Sequence, residues 1–155
     1  MAEAAHPWPE YIHQSFNSAI ISDPSGRDQS VFYGPFTRLL YSLFSIDGPY
    51  EIVPQIKTVA LQHGQEVDII TALVVQVNRH PVFFMVANPP AAFPYDSRRR
   101  GAEEQMRPWF RDLRQDVDIP ILHGVSAFGT RLSFYEYDSA THVLQPEQVP
   151  LFHFG

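Results

Sequence analysis

Asp68 is the one carboxylate inside the most apolar part of the sequence, and it is the first residue whose position could support chemistry. Its surroundings, EVDIITALVVQV, predict a β-strand whose two faces are both largely apolar. Such a strand is typical of the middle of a covered sheet. A carboxylate there loses hydration and stays ionised only beside a cation, a metal ion or several hydrogen-bond donors. Asp68 is therefore the candidate metal ligand.

The strands that would hold this residue can be read from the same region. Residues 66–90 predict two long strands joined at Asn78-Arg79-His80-Pro81, and Asn88-Pro89-Pro90 ends the second because prolines lack the N–H of a sheet ladder. A preceding strand at 51–60 contains Pro54, which indicates an edge or a bulge. The turn between the strand at 51–60 and the first of the two long strands is expected at 63–65.

Three stretches have the apolar spacing of amphipathic helices. The first covers 9–22 and the second 35–45, each opened by a proline, and the third covers 101–117 after a loop at 91–100. Pro108 should kink the third helix or mark its true start. The expected apolar stripes are Ile12, Phe16, Ala19 and Ile20; Phe36, Leu39, Leu40, Leu43 and Phe44; and Ala102, Met106, Trp109, Phe110, Leu113 and Val117.

Two more strands are predicted at 121–129 and 131–138, followed by a weak strand or extended arm at 143–155. Glycines bound the segment GVSAFG at 124–129, which lacks the lysine of a phosphate loop and is interpreted as a bend or bulge. The order of helices and strands predicts an α/β or mixed α+β fold with a central mixed sheet flanked by helices. We expect an N-terminal helix and loop at 1–31 and a single domain at 32–155.

Composition narrows the functional classes. The 155 residues contain no cysteine, which excludes disulfides, thiolate zinc sites and a cysteine nucleophile. No secretory signal or membrane span is recognisable, so we expect a cytoplasmic or nuclear protein that does not bind membranes. The net charge of −6 argues against general binding to phosphate backbones. Six of the eleven basic residues nevertheless lie within 98–114, either as a solvated helix face or as a local positive patch.

Other candidate sites have weaker patterns. The seven histidines show no metal-ligand spacing, and His123 is best interpreted as a hydrogen-bonded core or near-surface imidazole. Ser126 and Ser133 lack the strained turn of a serine nucleophile. Aromatic residues could line a sugar-binding or base-stacking groove, although Trp109 belongs to the apolar helix stripe. The other members of this set are Trp8, Tyr95, Tyr135 and Tyr137.

Several segments between about 32 and 138 together resemble a known family. They are YGPFTRLLYSLF, EIVPQ, VDI, HPVFFMVANP, EEQMRPWFRDL and IPILHGVSAFGTRLSFYEYD, in the order helix, strand, strand, strand, helix and two strands. In these segments the chain resembles the PD-(D/E)XK nuclease superfamily, and more closely a fungal group with a degenerate active-site motif. The resemblance implies a restriction-endonuclease-like core.

The resemblance also implies where the chemistry would be. The family requires an aspartate on the second strand, then an acid and a lysine two residues apart on the third, to hold Mg²⁺ and activate water. Asp68 matches the aspartate, but Val86 stands in place of the acid and Asn88 in place of the lysine. Valine offers no metal ligand, and asparagine offers an oxygen without charge.

Relocated groups could replace the missing ones. Lys57, the only lysine, lies on the neighbouring strand, and Glu51, Glu66 and the cluster Glu103-Glu104-Gln105 provide polar side chains. The candidate catalytic set is then Asp68, Lys57, Asn88 and Gln105, with Mg²⁺ on Asp68. Lys57 can equally be a strand-edge lysine that opposes aggregation. Arg98, Arg99 and Arg100 are the candidate contacts for phosphate or another partner.

Three functions remain open from the sequence. The leading hypothesis is a nuclease-like pseudoenzyme that needs no cofactor and binds a nucleic acid or protein partner. The second is an active Mg²⁺-dependent nuclease with relocated ligands. The third is a lectin-like carbohydrate-binding protein that uses its aromatic side chains. The sequence does not fix an oligomeric state.

Overall fold

The computed structural model describes residues 8–60 and 67–146, and within these the side chains of 58–60 and 67–70 are not described. Three helices and six strands form the described part. They are α1 Glu10–Ser22, α2 Tyr33–Leu43, β1 Tyr50–Ala60, β2 Val67–Val77, β3 His80–Asn88, α3 Asp96–Leu113, β4 Ile121–Phe128, β5 Arg131–Asp138 and β6 Val143–Gln145. Among the described residues, none of the helices combines the length and the apolar character that crossing a bilayer requires.

All six strands belong to one mixed sheet, in the order β1-β2-β3-β4-β5-β6. β3 and β4 are parallel, and all other neighbouring strands are antiparallel. The connection from β3 to β4 contains α3, as a crossover between parallel strands requires. The prediction of a mixed sheet flanked by helices is confirmed. Pro54 lies in β1, which is the edge strand that its proline predicted.

A two-residue turn joins β2 to β3. Asn78 and Arg79 both have positive φ, 49° and 69°, as a two-residue type I′ hairpin turn requires. The predicted turn was too long, because His80 and Pro81 already pair with Val77 and Gln76 in the sheet. A register shift beside Gln76 accommodates this pairing.

Two hydrophobic clusters cover the two faces of the sheet. Ala72 and Val74 of β2 pack in the cluster under α3, whereas Leu73 and Val75 pack in the cluster under α1 and α2. The alternation along β2 therefore supplies apolar side chains to both clusters, as its sequence predicted. Trp109 is 1% exposed in the α3 cluster, so its predicted core position is confirmed.

The third helix begins earlier than the sequence predicted. Residues 96–100 are the first turn of α3 rather than loop, and Pro108 lies inside the helix rather than at its start. Asp96 is an acidic residue in the first turn, where its carboxylate interacts favourably with the positive end of the helix dipole and stabilises the helix. Arg99 binds Asp96 and donates from Nη1 to the carbonyl oxygen of Phe93 at 2.6 Å, which fixes this turn to the preceding loop.

Other predictions fail at single elements. Residues 124–128 continue β4 in regular register, and the turn to β5 consists of Gly129, with φ of 59°, and Thr130. Ile20 and Leu43 were assigned to apolar stripes, but both are exposed. The expected turn at 63–65 and the arm beyond Pro146 lie outside the described residues.

Candidate functional site

Asp68 belongs to β2, near the start of the strand. Its backbone lies opposite Val59 of β1, and Ile70, two residues further along β2, lies opposite Lys57. The side chain of Asp68, like residue Glu66, lies outside the described residues. The backbone register therefore places Asp68 on the strand that the sequence predicted for it.

Val86 lies on β3 and is the residue that the resemblance aligned with the acid of the nuclease superfamily. It lies between Ala72 of β2 and Ser126 of β4 in the register of the sheet. The side chain is 1% exposed and packs in the α3 cluster with Phe84 and Met106. An apolar side chain fully enclosed by other apolar side chains leaves neither a ligand nor space for a hydrated cation at this position.

Asn88 is the last residue of β3 and is the residue that the resemblance aligned with the lysine of the nuclease superfamily. Its side chain is buried, and Nδ2 donates to Ser126 Oγ at 3.0 Å and to the carbonyl oxygen of Ala127 at 3.2 Å. Both acceptors belong to β4, so the amide joins the ends of two parallel strands. Asn88 and Ser126 are the two buried polar residues in the described part of the chain. Sequence reasoning considered Ser126 only as a nucleophile and missed this partnership.

Lys57 reaches from β1 to α3 and is fully engaged there. Its ammonium binds the carboxylate of Asp112 and donates to the carbonyl oxygen of Pro108 at 3.1 Å. Nζ also lies 4.4 Å from the ring centroid of Trp109, within range of a cation–π interaction. The hydrogen bond from Lys57 lowers the pKa of the Asp112 carboxyl. Asp112, which the sequence did not single out, thus holds Lys57 in a structural role.

The remaining candidates do not converge on a cation site. Gln105 is half-buried on α3, and Glu104 and Glu51 are exposed. Within the described side chains, no hydrogen bond or ion pair joins Lys57, Asn88 or Gln105 to one another. The same part of the chain contains no group of three or more histidine, aspartate or glutamate side chains that could hold a metal ion.

The aromatic residues considered for a sugar-binding groove divide into two sets. Trp8 and Tyr95 are exposed, whereas Tyr135 and Tyr137 are buried under α3. Burial raises the pKa of the Tyr135 hydroxyl to about 12, with the charge of Glu103 adding to the shift and Arg107 opposing it. Buried rings offer no face to a sugar, so the two tyrosines of β5 cannot form the groove.

His123 and the arginines at 98–100 lie at the surface of the protein. His123 lies on β4, with Nδ1 3.8 Å from Glu136 Oε1, which agrees with the near-surface interpretation. Arg98 and Arg100 are exposed, but Arg99 is held by Asp96 and the Phe93 carbonyl. Two of the three arginines can therefore meet a partner directly.

Comparisons with protein-family models, with curated proteins and with solved structures gave no match to this chain. The described geometry joins β3 to β4 through Asn88 and joins β1 to α3 through Lys57. Asn88 and Lys57, two of the residues considered for a role in hydrolysis beside the metal, therefore form contacts that hold the fold together.

Proposed function

We propose that this chain is a domain of nuclease-like fold that has lost metal-dependent catalysis and acts as a binding module. The observation that carries the proposal is that both β3 residues aligned with catalytic residues, Val86 and Asn88, are buried in structural contacts. Val86 is enclosed in the core, and the amide nitrogen of Asn88 is bonded to β4. Function depends on the site rather than the fold, and this site lacks an acid and a lysine where that chemistry needs them.

The element order supports the relation to nucleases. α2 precedes three antiparallel strands, and α3 then leads to β4, which lies parallel to β3. This is the order of helices and strands on which the resemblance depends. It supports a shared fold and does not by itself supply an activity.

The chemistry of Mg²⁺ supports the loss of catalysis. Mg²⁺ requires near-octahedral oxygen coordination and is usually held by one or two carboxylates with water and substrate phosphates. Asp68 is one carboxylate, and the third-strand partner that the family would supply is Val86. The proposed function therefore needs no cofactor.

A protein is the partner class that the described surface favours. A cleft of about 420 Å³ lies between α1 and β5, and its lining includes Trp8, Ile20 and Leu132. Phe134, two residues further along the same face of β5, is 69% exposed. A net charge of −6 opposes nucleic-acid binding, whereas exposed apolar side chains beside a cleft are typical of protein contacts. We propose a cytoplasmic or nuclear location, with which a chain that has no cysteine for disulfides is compatible.

A cleavage assay with a matched variant tests the proposal. Single-stranded and double-stranded DNA and RNA are incubated with Mg²⁺ or Mn²⁺ and with wild type, Asp68→Ala or Asp47→Ala, an exposed control. We expect wild type and both variants to cleave no faster than buffer, and calorimetry to show no saturable Mg²⁺ binding. Wild-type cleavage that Asp68→Ala abolishes and Asp47→Ala retains would instead establish the nuclease with relocated ligands.

A further inference from the structure

A second cleft lies where the parallel strands β3 and β4 end. Its volume is about 290 Å³, and its walls include Phe32, Pro90, Phe93, Phe128 and Arg131. β3 ends at Asn88 and β4 at Phe128, so the cleft is outside the carboxyl ends of two parallel strands. In open α/β sheets this is the usual place for a small ligand to bind. The volume is close to the lower end, roughly 300 Å³, of known ligand sites.

Close contacts between loops give the cleft a fixed shape. The amide of Ala91 donates to the carbonyl oxygen of Gly26 at 2.9 Å, which joins the loop after α1 to the loop after β3. A Cβ at Gly129 would lie 2.9 Å from Pro90 Cγ, so the β4–β5 turn also packs directly against that loop. Phe93 and Phe128 meet edge to face with ring centroids 5.7 Å apart. A preformed apolar cleft of this kind requires little ordering when a ligand binds.

Arg131 supplies a positive charge at the rim. Its guanidinium carbon lies 4.4 Å from the ring centroid of Phe93, so the stacked ring holds the side chain in place. No described residue forms an ion pair with Arg131. The other guanidinium over Phe93, that of Arg99, is already bound to Asp96.

Asp23 is the one acid among the described residues that line the cleft, and both of its carboxylate oxygens accept hydrogen bonds from its own loop. Asp23 Oδ2 accepts from the amide of Asp28 at 2.8 Å, and Oδ1 accepts from Ser25 Oγ at 3.1 Å. Asp23 therefore fixes its own loop and forms no ion pair with Arg131. A single guanidinium in a site that also contains an acid suits a ligand with one negative charge better than a phosphate dianion.

We propose that this cleft binds a small aromatic carboxylate. The aromatic body packs against Phe128 and the proline walls, and the carboxylate accepts hydrogen bonds from the Arg131 guanidinium that lies over Phe93. The proposal goes beyond the binding module described above, because it concerns a second cleft, which shares only Ile20 and Thr130 with the first among the described residues, and does not depend on the loss of catalysis.

An NMR titration with phenylacetate as the probe tests the proposal. We expect saturable amide shifts concentrated at Gly26, Phe93, Phe128 and Gly129, which line this cleft but not the cleft beside α1. Phenylacetamide, which keeps the ring but loses the charge, should bind at least about fivefold more weakly, as expected for a lost charge-assisted hydrogen bond. Inorganic phosphate should not compete.

Two arginine variants separate a specific site from general charge attraction. Arg131→Gln should weaken phenylacetate binding about tenfold, since it removes the guanidinium but keeps a polar side chain. Arg38→Gln is the matched control, because Arg38 is also exposed and also stacks on a ring, that of Tyr11, 5.5 Å from its centroid. Unaltered circular dichroism and melting would confirm that both variants fold.

Three results would overturn the proposal as a whole, and a fourth would overturn its choice of ligand. The three are the absence of saturable shifts at the cleft, equal binding of phenylacetamide, and equal losses in Arg131→Gln and Arg38→Gln. Effective competition by phosphate would overturn the carboxylate assignment in the same way. The cleavage assay with Asp68→Ala is independent, so a failure of either proposal is recognised separately.

Discussion

At the scale of single residues, the contact from Asn88 to Ser126 has the most direct consequence for stability. Removing one partner of a buried hydrogen bond leaves the other unsatisfied, at a cost of about 1–3 kcal/mol. We therefore expect Asn88→Ala to lower the free energy of unfolding by about 2 kcal/mol in urea denaturation. Asn17→Ala, at an exposed position of α1, is the control and should be neutral or slightly stabilising. Equal stability of Asn88→Ala and wild type would show that the contact has no structural role.

The buried hydroxyl of Tyr135 should make the free energy of unfolding fall at alkaline pH. The pKa of its hydroxyl is about 12 in the folded protein, whereas the unfolded chain ionises it near its usual value of about 10. Because the pKa is raised on folding, the associated stability is present below about pH 10 and is lost as pH rises towards 12.

The variant Tyr135→Phe tests this sensitivity. Between about pH 9 and pH 11.5, wild type should lose on the order of 1–2 kcal/mol more unfolding free energy than Tyr135→Phe. Urea midpoints measured at both pH values provide the comparison. Tyr95→Phe, which changes an exposed tyrosine, should keep the alkaline loss of wild type. An alkaline loss in Tyr135→Phe as large as that of wild type would contradict the assignment.

At the scale of elements, two glycines should respond to alanine in opposite directions. A Cβ at Gly124 in β4 would lie 2.6 Å from Phe110 Cζ and 2.7 Å from Phe84 Cε1, inside the core between the sheet and α3. Overpacking of this kind costs about 1–3 kcal/mol, so Gly124→Ala should destabilise the protein by at least that amount.

Gly101 provides the matched comparison. It lies inside α3, and a Cβ there would meet no heavy atom within 4 Å. Alanine is favoured over glycine in a helix interior by about 0.5–1 kcal/mol, so Gly101→Ala should raise the free energy of unfolding. Thermal melting of both variants would measure the contrast. A shift of the same sign in the two variants would show that α3 does not pack on β4 as described.

The same elements show how far the sequence could predict the structure. β5 has its predicted bounds, and β2 ends at Val77 as predicted, because turn residues follow the last residue of each strand. The first turn of α3 was missed because Arg98, Arg99 and Arg100 carry no apolar periodicity, and contacts of Arg99 with the preceding loop stabilise it instead. The pattern of neighbouring residues in the sequence does not predict such contacts, so it did not predict this turn of the helix.

The site was less predictable than the fold, for a related physical reason. The positions of Asp68, Val86 and Asn88 on strands follow from alternation, and the structure places their backbones on the expected strands. The partners that decide the role of a side chain lie far away in the chain: Asn88 binds Ser126, and Lys57 binds Asp112. Only the folded sheet brings these pairs together.

At the scale of the whole molecule, the distribution of apolar surface decides which partner class is favoured. Leu132 and Phe134 are exposed on one face of β5, beside the cleft formed with α1. Contiguous exposed apolar surface beside a concave wall binds apolar probes better than scattered apolar residues do. If this face is the binding surface, the double variant Leu132→Ser/Phe134→Ser should lower the fluorescence of a bound apolar dye such as anilinonaphthalene sulfonate by about half or more.

A second double variant controls for the simple loss of apolar area. Ile46→Ser/Ile56→Ser removes two side chains that are also exposed, one after α2 and one on edge strand β1, away from the cleft between α1 and β5. Dye binding should change little in this variant, because isolated exposed apolar residues do not form a site. Equal decreases in both variants would mean that apolar area rather than the concave face governs dye binding. The proposal that the face of β5 binds a protein would then be wrong. The observations on Val86 and Asn88, which support the loss of catalysis, would still hold.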